Sequence, residues 1–227
     1  NGYARSEGVG ALVLREGDDA AARVLCSIVV RPGGRSASRT APNGPAQRTL
    51  LVSAVGRASL GLSEIACVEA HGTGTGLGDP TEAGALAAVH ASVREVPLSV
   101  SAAKSNTGHS EAASAQLGLL KAPLLMGGTV SVGNAQLRVL NLHVSDRLGA
   151  SHGQFALPTQ TGAGSSGGAW GVSSFGFSGT IAHAVLTACV GVDAICCGRV
   201  TASVPSFVLR RRAFFCGAAC ERRPRRR

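Results

Sequence analysis

The sequence predicts an α/β protein with crossover connections. Two apolar runs, residues 65–70 and 98–103, have the length and β-branched content of buried strands. A helix-start signal, Asp79-Pro80-Thr81-Glu82, stands between them, and another, Asn43-Gly44-Pro45, precedes the first. Strand, helix and strand in that spacing imply parallel strands joined by helices.

The elements follow in order. Residues 10–15 and 23–30 read as strands, short and β-branched. Residues 32–41 are a Gly/Ser/Arg loop. A helix then starts near Pro45, with Ala46, Leu50, Ala54, Val55 and Ala58 at helical spacing. The strand 65–70 runs to His71, and residues 72–78 form a glycine-rich loop. In the next helix Asp79 is expected to cap, Pro80 to take the first helical position, and Glu82 the capping-box position. Strand 98–103 leads into a loop at 104–108. His109 is expected to open an alanine- and leucine-rich helix that weakens near Pro123 and Gly127-Gly128. Residues 154–157, 169–175 and 181–188 read as strands, with a linker-like loop at 162–168. Beyond residue 188 the pattern dissolves. This divides the chain into a domain at 1–188 and a disordered tail at 189–227.

A hydrophobic fraction of 44% supports a substantial core, and with 4% aromatics that core is built from Ala, Val and Leu. No apolar run reaches 18 residues, so no membrane span is expected. No secretory signal is visible, and the chain opens on Asn1, as expected of a processed or truncated product. Residues 210–227 hold eight arginines and one glutamate, so the tail carries all but two of the nine excess positive charges. The domain itself is not basic, and nucleic acid is not an expected partner. A phosphate-binding tail, or a tail read in the wrong frame, stay open as readings of 210–227. The seven cysteines are odd in number and irregular in spacing. They suit free thiols in a reducing, cytoplasmic compartment or a plastid rather than a disulfide framework or zinc site.

Two histidines stand out, in Glu69-Ala70-His71-Gly72-Thr73-Gly74-Thr75 and in Lys104-Ser105-Asn106-Thr107-Gly108-His109. Each follows a strand-like run and touches glycine, so neighbouring strands bring both to one carbonyl or carboxylate. At a helix start, His109 is expected to have a lowered pKa through the helix dipole. A neutral imidazole then donates to a developing enolate. Lys104, five residues earlier, reaches the same pocket. A structural role is the competing reading for each histidine alone. His183 reads as structural, and His90, His143 and His152 carry no assigned role.

These segments, with Gly171-Val172-Ser173-Ser174-Phe175-Gly176-Phe177-Ser178-Gly179-Thr180, resemble the C-terminal half of a β-ketoacyl synthase, most closely a ketosynthase domain of a modular polyketide synthase. Gly2-Tyr3-Ala4-Arg5-Ser6-Glu7-Gly8 and Thr40-Ala41-Pro42-Asn43-Gly44-Pro45-Ala46-Gln47 extend the resemblance to residues 1–188. It implies a thiolase-like layered α-β-α-β-α architecture. It implies decarboxylative Claisen condensation in polyketide or fatty-acid synthesis. The matching positions imply that His71 and His109 would assist decarboxylation and hold the enolate, and that Lys104 would orient the charge network. Thr73 and Thr75 would bind the phosphopantetheine arm of an acyl carrier protein. The Phe177 N–H would supply part of an oxyanion hole, and Gly176 and Gly179 would admit substrate against backbone. No directly bound cofactor and no metal are implied. Space filling is the competing reading for Phe175 and Phe177. Ile181 stands where the family carries asparagine.

The family's nucleophilic cysteine lies in a Thr-Ala-Cys-Ser-Ser-like elbow, and none of the seven cysteines has that context. The chain alone is therefore expected not to condense. The expected partners are acyl carrier protein, the missing N-terminal ketosynthase half, and a second copy in a homodimeric parent protein. The alternative is a non-catalytic ketosynthase-like partner that binds carrier protein.

Overall fold

The computed structural model describes residues 2–14, 16, 22–31, 41–91, 94–126, 130–163 and 167–189. The arginine tail and residues 32–40 of the loop expected at 32–41 lie outside the described residues.

Among the described residues, six strands form one mixed sheet: β1 (Ala22–Val30), β2 (Ile65–Glu69), β3 (Leu98–Ser101), β5 (Phe155–Ala156), β7 (Ala169–Phe175) and β8 (Ile181–Ala188). Their order is β1-β8-β7-β2-β3-β5. β2, β3, β5 and β7 run parallel, whereas β8 is antiparallel to both β7 and β1. A two-stranded ribbon pairs β4 (Val130–Ser131) with β6 (Gly162–Ala163). Part of the expected 162–168 loop is thus a strand.

Helices cover both sheet faces. α1 (Gly44–Arg57) and α2 (Gly78–His90) share a core with β1, β2, β3 and β8, built on Leu50, Leu51, Val55, Leu86, Ile65, Val68, Leu98 and Val185. α4 (Ser114–Met126) packs on the other face, where Ala122 and Met126 meet Trp170, Val172 and Leu186. α5 (Leu142–Leu148), which the sequence did not announce, packs against α2. No helix among the described residues is long and apolar enough to cross a membrane.

α1 starts as expected. The Asn43 side chain accepts the Ala46 N–H at 3.0 Å and a proline occupies the first turn. Replacing Asn43 with Ala removes this cap and lowers stability by about 1 kcal/mol in urea denaturation.

Three expectations fail. Residues 10–14 form no strand: Val9, Val13 and Leu14 are almost fully exposed, and no described strand lies beside them. β-branched composition makes a strand only where a ladder partner exists. Residues 104–107 are not loop but a helical turn, α3 (Lys104–Thr107), ended by Gly108 at φ +80. His109 does not open a helix. A 3₁₀ turn at Glu111–Ala113 separates it from α4. Its backbone instead pairs with the N-terminal segment, His109 N–H to Ala4 O at 2.7 Å and Ser6 N–H to His109 O at 3.0 Å.

Candidate active site

Adjacent parallel strands place the two histidines. β2 ends at Glu69 and β3 at Ser101, and their following loops carry His71 and His109 over the same sheet edge. Gly72 lets the loops touch: it sits at φ +43, where a Cβ would lie 2.6 Å from that of Ala102.

The acids after the glycine loop do not cap α2. Its first amides are served by Thr75, whose hydroxyl accepts the Gly78 N–H at 3.1 Å. Asp79 turns back and accepts the Gly74 N–H through both oxygens, each at 3.1 Å. Glu82, one turn further on, accepts the His71 N–H at 2.8 Å and the Gly72 N–H at 3.0 Å. A capping box presumes a free helix start, but here the loop folds over it and offers its own unpaired amides. Burial raises Glu82 to about 7, against the pull of these two amides. Burial also raises Asp79.

Both imidazoles are fixed in one tautomer. His71 Nδ1 accepts the Phe175 N–H at 3.2 Å, and His109 Nδ1 accepts the Glu111 N–H at 3.2 Å. Each neutral ring therefore carries its proton on Nε2. Burial, then the charge of Lys104 and the neighbouring His109, pushes His71 down to about 3. His109 is lowered by burial and by Lys104. With no helix start at His109, desolvation replaces the dipole as the cause. The rings lie 5.6 Å apart and nearly perpendicular, at 89°. Phe175 packs 5.3 Å from His71, and Tyr3 5.3 Å from His109.

An open cavity of about 1630 Å³ gathers His71, His109, Thr73, Thr75, Gly176, Phe177 and Gly179. Lys104 is not in its lining. It is half-buried, with its pKa lowered by burial against the fields of Glu82, Glu69 and Asp79. The Thr73 and Thr75 hydroxyls are 3.2 Å apart. Gly176 and Gly179 close the β7–β8 turn, Gly176 N–H to Thr180 O at 2.6 Å, with Gly179 at φ +93. The Phe177 ring is 84% exposed, so it fills no core, whereas Phe175 packs on the core as well as on His71. His183 is buried, with Nδ1 3.0 Å from Ser173 Oγ, as a structural residue requires.

Lys121, Glu69, Asn134 and Tyr3 escaped the sequence reading. Lys121 Nζ lies 2.6 Å from Glu69 Oε2 and 2.8 Å from Ser101 Oγ, a buried ion pair tying α4 to the ends of β2 and β3. Glu69 also accepts the Ala103 N–H. Asn134 accepts the Ala102 N–H and donates to Val100 O and Pro158 O, bracing the start of the His109 loop. Tyr3 donates to Glu111 Oε1 at 2.6 Å. The signal for the ion pair was present: one lysine amid Leu119, Leu120 and Ala122, and one acid inside a buried strand. Cys67, raised to about 12 chiefly by burial, is an inert thiol.

Residues 22–137 match the family model described as β-ketoacyl synthase, C-terminal domain. Erythronolide synthase EryA2 of Saccharopolyspora erythraea is 38% identical over 192 residues, covering 82% of this chain and 5% of that protein. Polyketide synthase GfsA of Streptomyces halstedii is 40% identical over 201 residues, covering 82% and 3%. The chain thus spans a small fraction of these curated relatives. Among solved structures, the ketosynthase from module 6 of the Bacillus subtilis 168 bacillaene synthase superposes with a TM-score of 0.67 at 28% identity, covering 74% of this chain and 31% of that one. The oxazolomycin ketosynthase domain OzmH KS7 of Streptomyces albus JA3453 gives 0.66 at 28% identity, covering 74% and 30%.

Proposed function

Because the chain belongs to the β-ketoacyl synthase family through its C-terminal domain, we propose that it is the histidine-bearing part of a polyketide ketosynthase that catalyses decarboxylative Claisen condensation. Its fold is the thiolase-like α/β architecture of that family. The observation that carries the activity is the His71–His109 pair: two neutral rings 5.6 Å apart, each with Nδ1 taken by a backbone amide and Nε2–H left to donate.

In a malonyl thioester the bond from the methylene carbon to the carboxylate breaks. Carbon dioxide leaves, and the electron pair passes into the methylene–carbonyl system. Charge collects on the thioester oxygen, where two fixed N–H donors stabilise it without losing a proton. The methylene carbon then attacks an acyl thioester, and a cysteine thiolate departs. That cysteine belongs to the upstream half of the domain, the expected partner of this chain. The exposed Val9, Val13 and Leu14 suit such a partner. The charge of Lys104 adds to burial in disfavouring protonation of both imidazoles. Thr73 and Thr75 hold the phosphopantetheine arm of acyl carrier protein, and the Phe177 amide, freed by Gly176 and Gly179, completes the oxyanion site.

The test mixes the chain with the cysteine-bearing ketosynthase segment of a relative such as erythronolide synthase and measures carbon dioxide release from malonyl-pantetheine. His71→Ala or His109→Ala lowers release by roughly 10²–10³-fold. The chain alone gives no acyl-enzyme burst. Release indifferent to both histidines overturns the catalytic reading. Carrier-protein binding with no release in any mixture moves the chain to the non-catalytic partner reading.

A further inference from the structure

We infer that Gln47 recognises the ligand of this cavity, its side-chain amide pairing with an amide of the pantetheine arm. The inference rests on the arm-binding reading above.

Gln47 lies on α1 one turn after Asn43, and both line the cavity that holds His71 and His109. It is 2% exposed. Its Oε1 is buried without a hydrogen-bond partner, and its side chain forms no hydrogen bond among the described residues. Such an atom destabilises the free chain, because it has left water and gained nothing. Elsewhere the fold avoids that loss. Buried Asn134 uses both ends of its amide, accepting once and donating twice. The other orphaned buried atom among the described residues, His90 Nδ1, does not line this cavity. An unpaired amide at the wall of the reactive cavity therefore fits a partner that arrives with the ligand.

The partner's chemistry follows from the group. Oε1 needs a donor and Nε2 an acceptor. A secondary amide offers both, and the pantetheine arm carries two. Rotation about the terminal side-chain bond, which is soft, turns either end of the Gln47 amide to the cavity. Thr73 and Thr75 line the same cavity. The arm would then be held by hydroxyls on the loop and by an amide on α1.

The test titrates the complete chain with pantetheine by saturation-transfer NMR, with hexanethiol as a ligand that has the thiol but no amide. Gln47→Leu weakens pantetheine about tenfold, leaves hexanethiol unchanged, and raises the Tm by about 2–4 °C because an unpaired buried acceptor is gone. Gln47→Met, unbranched and of similar volume, carries the same test should the leucine variant fail to fold. Unchanged pantetheine affinity in either folded variant overturns the inference. So does equal weakening of both ligands with a lowered Tm, which marks a packing residue. If Thr73→Val weakens pantetheine and Gln47→Leu does not, only the Gln47 assignment falls. If the native chain does not bind pantetheine, the arm-binding reading falls and takes this assignment with it.

Discussion

Lowering the pH from 7 to 4.5 destabilises the folded chain by about 5 kcal/mol. Three buried imidazoles drive the loss. Burial holds His71 and His183 down at about 3 and His90 at about 4. In the unfolded chain each titrates at its ordinary value near 6.5. Below that pH the unfolded state binds protons that the folded state refuses. Their stabilisation is therefore fully present above pH 6.5 and is lost as the pH falls toward the folded values, about 8 kcal/mol in all by pH 4.5. Glu82 works in the opposite direction. Raised to about 7 by burial, it takes up its proton in the folded chain first. That returns about 3 kcal/mol over the same window. Asp79, also raised by burial, adds to the offset. Three groups outweigh two, so the sign is set by the histidines. Urea midpoints followed by circular dichroism from pH 7 to 4.5 measure the slope. A midpoint that stays level down to pH 5 would contradict this account.

Replacing Lys121 with Met lowers stability by about 3–5 kcal/mol. The methionine keeps the length of the stem, and the loss is the ammonium 2.6 Å from Glu69. Glu69, 2% exposed, then holds its charge with only the Ser101 hydroxyl and the Ala103 N–H. The companion Glu69→Gln/Lys121→Met chain recovers much of the loss, because no buried charge is left unpaired. The pair spans the ends of β2 and β3 and the middle of α4. The single variant therefore also loosens the two loops that carry the histidines. Guanidinium denaturation of the four chains of this cycle gives the coupling directly. A single variant within about 1 kcal/mol of the native chain would mean that the ion pair is broken in solution.

The strands and helices with a periodic apolar face were legible because each buries that face. Residues 65–70, 98–103, 169–175 and 181–188 all became strands within a residue or two. Asn43 was legible because a cap is local chemistry, three residues wide. Asp79 and Glu82 carried the same local signal and were read the same way. Their real partners are loop amides brought in by the chain's path, which no short window contains. His109 failed for a related reason: its backbone is paired with Ala4 and Ser6, more than a hundred residues away. The run at 10–14 shows the converse, strand composition with no neighbouring strand. In the site, the motif residues other than Lys104 met at one cavity, while Gln47, Glu69, Lys121 and Asn134 stayed unread. Their importance comes from being buried and polar, and burial is a property of the fold.

The hydrogen bond from Phe175 N–H to His71 Nδ1 joins residues 104 positions apart. The strand that precedes His71 pairs with β7, whose last residue is Phe175. A ribosome therefore releases His71 long before the amide that sets its tautomer has been made. During that interval the ring is free to carry its proton on either nitrogen, and both histidine loops can be complete in sequence without being reactive. Competence arrives late and as a single event, when β7 inserts beside β2. A product terminated after residue 109 but before residue 175 keeps both histidines and lacks the amide that orients His71, so premature termination there yields an inert chain rather than an unruly decarboxylase.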